Sequence, residues 1–66
     1  MDAKYPEITV GLIGGDGNAL SILGRVNLAL IEAGVDKAAR DEFYAEATAG
    51  DYDALLQTVA RWVVVE

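Results

Sequence analysis

The segment NALSILGRVNLALIEAGVD, residues 18–36, decides the fold. Leu20, Leu23, Val26, Leu30 and Ala33 recur at steps of three and four, the spacing of one apolar helix face. Asn18 suits the N-cap, because its side-chain oxygen accepts from a first-turn N–H that has no partner within the helix. Gly34 followed by Val35 matches a left-handed helix stop with a hydrophobic residue after it. The spacing predicts a helix over residues 19–33. A competing reading pairs Ala19–Leu23 with the preceding segment as a hairpin and begins the helix after Gly24.

Upstream, Ile8, Val10 and Leu12 alternate with Thr9, Gly11 and Ile13, so residues 7–13 read as a strand. Residues 1–6 are a short lead-in, with Pro6 fixing an extended entry. Three glycines in the five residues Gly14–Asn18 make a turn. Downstream, Asp36 caps a second helix over residues 37–49, with Ala39, Phe43 and Ala47 as its buried line and Gly50 as a second left-handed stop. Asp51 caps a third helix, where Asp53 in the first turn complements the helix dipole. Its apolar face is Tyr52, Leu55 or Leu56, Val59 and Trp62. The last five residues, WVVVE, are β-branched and brief, a second strand. A lone short strand has no partner for its backbone, so the two ends are expected to pair. The expected class is α+β: strand, three helices, strand in a single domain over residues 1–66. Its two-stranded sheet, expected to be antiparallel, packs against three short helices.

Sixty-six residues leave room for one domain. A chain of this size is marginal on core burial alone. Eleven acids against five bases give a net charge of −6, and 53% hydrophobic residues make the chain too apolar for a disordered acidic tail. The negative excess repels phosphate backbones and anionic lipid, so direct nucleic-acid and membrane binding are not expected. The chain has no Cys and no His, which removes disulfides, thiolate chemistry, the commonest metal ligand and the commonest general base. No apolar run approaches the length of a membrane span, and the N-terminus lacks the pattern of a signal peptide. A cytoplasmic protein, monomeric or weakly dimeric and without a cofactor, is the expectation.

Among candidate sites, Gly14–Asn18 is a glycine turn between a strand and a helix, and such turns cradle phosphate at helix N-termini. The residues GGDG resemble the GGDGT motif of NAD kinases and diacylglycerol kinases, which implies nucleotide binding. Asn18 stands where those families carry Thr, and a tight turn with an N-cap accounts for the segment equally. Asp51 and Asp53, alone or with Glu46, offer oxygens to Mg²⁺, but both Asp residues also suit a helix start. Ser21, Thr48 and Thr58 have no base near them in sequence, so catalysis is not expected. The acids carry more. Residues 36–53 hold six acids and two bases. Glu42 and Glu46 are four apart on a helix, a like-charge pair that an isolated helix disfavours. Asp41, Glu42 and Glu46, with Asp36, are the proposed contact for a basic partner: acids at helical spacing imitate phosphates along a duplex. Leu28 and Ile31 fall on the outer face of the first helix, a secondary apolar contact.

Several segments together, Tyr5–Val10, Asp16–Ala19, Ile22–Val26, Glu46–Tyr52, Leu55–Val59 and Arg61–Val63, resemble small reading frames of bacterial mobile elements and phages that carry no known chemistry. In size, acidity and strand–helices–strand plan, the chain also resembles anti-CRISPR proteins that block type I effector complexes, type I-C inhibitors included. That resemblance implies an inhibitor occupying the DNA-binding surface of a host type I CRISPR surveillance complex. The alternatives are a nucleotide-binding or enzymatic protein built on Gly14–Asn18, and an accessory subunit of a larger assembly.

Overall fold

The computed structural model describes residues 3–12 and 17–66. The elements are β1 (Tyr5–Val10), α1 (Ala19–Glu32), α2 (Lys37–Ala47), α3 (Tyr52–Trp62) and β2 (Val63–Val65). The hairpin alternative for Ala19–Leu23 is excluded, because α1 starts at Ala19 and runs through Gly24. Each helix begins on the residue expected to cap it. Asn18 Oδ1 accepts from Leu20 N at 2.8 Å, Asp36 Oδ1 from Ala39 N at 2.9 Å and Asp51 Oδ1 from Ala54 N at 2.9 Å. The ends of the helices divide the two glycines. Gly34 has φ +85°, the left-handed stop. Gly50 has no positive φ, so its expected left-handed role fails. It is required for space instead, because a Cβ there would stand 2.8 Å from Ala54 Cβ.

The core gathers Ile8 and Val10 of β1, Ile22, Leu23, Val26 and Leu30 of α1, Phe43 and Ala47 of α2, Leu55, Val59 and Trp62 of α3, and Val63 of β2. The line of α1 is therefore displaced from the expected one: Ile22 is inside, while Leu20 and Ala33 are exposed. Trp62 joins the layers. Its ring lies 5.8 Å from Tyr5 and 5.4 Å, edge-on, from Phe43.

The sheet corrects the expected strand direction. β1 and β2 are parallel, with Tyr5 opposite Val63, Thr9 opposite Val64 and Val10 opposite Val65. A hairpin would enforce antiparallel pairing, but the two strands are joined by three helices, a crossover long enough for either direction. Trp62 then decides. It packs on Tyr5, the first residue of β1, so the chain leaving it meets β1 at its beginning and can pair only by running the same way. Lys4 N→Arg61 O at 2.8 Å opens the ladder, and Leu12 N→Glu66 O at 3.1 Å closes it. The register breaks between Tyr5 and Thr9. Pro6, which has no N–H to give a ladder, lies in that interval.

Candidate binding surfaces

α2 carries the proposed acidic contact, and the fold brings a base to each of its three exposed acids. Lys37 Nζ lies 2.8 Å from Asp41 Oδ2, one helical turn away. Lys4, just ahead of β1, stands 3.9 Å from Glu42 Oε1. Arg61, near the end of α3, stands 3.1 Å from Glu46 Oε1. That same Glu46 oxygen also accepts from Trp62 Nε1 at 3.3 Å, so Glu46 holds the indole that joins the layers. Asp36 is occupied as the cap of α2. The charge excess counted along residues 36–53 is thus offset in space by two bases that the linear sequence places far away.

The remaining bases are engaged as well. Arg25 Nη1 donates to Gly11 O at 2.8 Å, and Arg40 Nε donates to Val35 O at 3.3 Å. All five cationic side chains of the chain are therefore held by its own oxygens. By contrast, Glu7, Glu32 and Asp53 make no ion pair and no side-chain hydrogen bond among the described residues. None of the three is among Asp36, Asp41, Glu42 and Glu46, the contact expected from the sequence, although Asp53 lies within the acid-rich residues 36–53.

Leu28 and Ile31 are exposed as expected, at 55% and 46%. Leu28 lines a hollow of about 220 Å³ between α1 and β1, together with Thr9, Arg25 and Glu32. A second hollow, of about 400 Å³, lies between β1 and the α1–α2 turn, lined by Tyr5, Glu7, Ile8, Val35, Asp36 and Ala39 among others. A third surface was not anticipated. Leu20, Tyr44 and Tyr52 rim a cleft of about 300 Å³ floored by Leu23, Ala47 and Leu55. Leu20, at 73% exposure, and Tyr52, at 45%, were expected to face inward; both sit in the first turn of their helices, where the apolar stripe has run out over the edge of the core. Tyr52 Oη donates to Gly17 O at 2.7 Å, which ties α3 to the approach of α1.

The glycine-turn site lies largely outside the described residues, since only Gly17 and Asn18 of it are described. Asp51 and Glu46 are engaged as cap and ion-pair partner, and no group of three metal-ligating side chains gathers among the described residues. No described helix is long and apolar enough to cross a membrane. No protein-family model, no curated protein and no solved structure matches the chain.

Proposed function

We propose that this chain is a small acidic binding protein without catalytic activity, an inhibitor that occupies a basic nucleic-acid-binding surface of its partner. The single observation that carries the reading is the state of the charges. Every Lys and Arg is held by an oxygen of the chain itself, while Glu7, Glu32 and Asp53 have no cation of their own. Lys4, Lys37 and Arg61 face a carboxylate and Arg25 and Arg40 keep their charge against backbone carbonyls, so the excess at the surface is carboxylate, on a body about 25 Å across with a net charge of −6. Such a surface is drawn to a positive groove and kept from nucleic acid. A partner of the anti-CRISPR kind, the DNA-binding surface of a type I surveillance complex, fits that chemistry.

The charged contact passes in this reading from Asp41, Glu42 and Glu46, already paired, to the carboxylates without a cation. The test is a competition in which the purified protein displaces labelled duplex DNA from a purified type I surveillance complex. Displacement that weakens as salt rises supports the reading. Absence of displacement at low salt, where steering is strongest, refutes it.

A further inference from the structure

Among the described residues, the two-stranded sheet leaves one edge of β1 unpaired. Val10 O and Leu12 N turn to Glu66 on the β2 side. Alternation along the strand turns the N–H and C=O of Thr9 and Gly11 to the opposite edge. Arg25 confirms the direction by donating to Gly11 O there, and so marks where the open stretch ends. Beside that edge no described residue fills the space over the helices. The hollow with Leu28 and the larger one with Ile8 and Val35 lie along β1, one after the other. Glu7, Glu32 and Asp36 line them against the single cation Arg25, which is turned to Gly11 O, and none of the three acids has an ion-pair partner among the described residues.

Resting on the acidic-binder reading, we propose that the outer edge of β1 accepts an extended cationic segment of the partner as a third strand. The backbone edge supplies ladder hydrogen bonds, and Lys or Arg side chains on the face turned to α1 lay their methylene stems in the two hollows and bring their charged heads to Glu7, Glu32 and Asp36. Charge complementarity selects this occupant over a second copy of the chain, which would bring the same carboxylates against their like. Exposed strand edges are usually blunted. Here the charge of Glu7 serves that purpose towards other acidic chains while leaving the edge open to a basic one.

The test uses the full chain, isotopically labelled, and a capped eight-residue peptide alternating Lys and Val. Two N-methylated versions remove the amide protons of one edge or of the other. The proposal predicts slowed exchange of the Thr9 amide and resonance shifts at Glu7 and Leu28. Methylation on the pairing edge should weaken binding at least about tenfold, and on the other edge by less than about twofold. A peptide with Glu in place of Lys should not bind. Equal binding of both methylated peptides, or shifts confined to α2 or to Leu20, Tyr44 and Tyr52, would overturn strand addition while leaving attraction to cations intact. Failure of the Lys peptide to bind also overturns it, and the DNA competition then judges the acidic-binder reading on its own. Concentration-dependent shifts at Thr9 without peptide would assign the edge to a second copy and overturn the cationic occupant.

Discussion

Gly24 sits in the middle of α1, exposed, with nothing within 4 Å of where a Cβ would stand. No close approach requires a glycine there, and in a helix interior it costs about 0.5–1 kcal/mol relative to Ala. Gly24→Ala should therefore raise stability by about that amount in urea unfolding. Loss of stability would mean that the helix is broken at this point. Gly34 and Gly50 behave in the opposite sense for two different reasons. At Gly34 the backbone is left-handed, and a β-branched side chain is strained. At Gly50 the backbone is ordinary, but Ala54 stands in the way. Gly34→Val and Gly50→Val should each lower stability by about 1–3 kcal/mol. Only the Gly50 variant should recover when Ala54 is changed to Gly. Parent-like melting of both single variants would refute the account of the helix ends.

Among the elements, α2 shows how exposed acids divide into structural and dispensable ones. Asp41 pairs with Lys37 on an open surface, and such pairs contribute little. Asp41→Asn should change stability by less than about 0.5 kcal/mol. Glu46 joins Arg61 and the indole of Trp62, whose ring is buried between Tyr5 and Phe43. Glu46→Ala should cost about 1–2 kcal/mol, because it removes an ion pair and the acceptor of a half-buried N–H. Equal effects of the two changes on urea unfolding would contradict this division. The same element marks how far the sequence could be read. Helix starts at Asn18, Asp36 and Asp51 were legible, because capping is decided within four residues. Phe43, Val59 and Trp62 were legible as core from periodicity. The pairing of Glu42 with Lys4 and of Glu46 with Arg61 was not, because residues 38 and 15 positions apart meet only once the fold exists. Strand direction was hidden for a related reason: it depends on Trp62 packing against Tyr5, a contact between the two ends of the chain. The apolar stripe of α1 was misplaced by periodicity because Leu20 and Ile22 both fit an apolar face, and only the neighbouring helices choose between them.

The whole molecule carries a net charge of −6, pairs three of its five cations with carboxylates of its own and leaves Glu7, Glu32 and Asp53 without a cation, so a distant basic surface meets a net negative body. Association with a basic surface should therefore be fast at low salt and slow as screening tightens to within about 8 Å at roughly 0.15 M. Stopped-flow binding at several salt concentrations checks this; an association rate that ignores salt would speak against steering. Two triple variants separate the carboxylates that act outward from those neutralised within. One changes Glu7, Glu32 and Asp53 to Gln, Gln and Asn; the other changes Asp41, Glu42 and Glu46 to Asn, Gln and Gln. Each removes three negative charges, so a difference between them cannot come from net charge. The deciding measurement is displacement of labelled duplex DNA from a purified type I surveillance complex by the parent and both variants at low salt. The account predicts that the first variant loses at least about tenfold in potency, about 1.4 kcal/mol, while the second stays within about threefold of the parent. A first variant as potent as the parent, or a second variant that alone loses displacement, would contradict it.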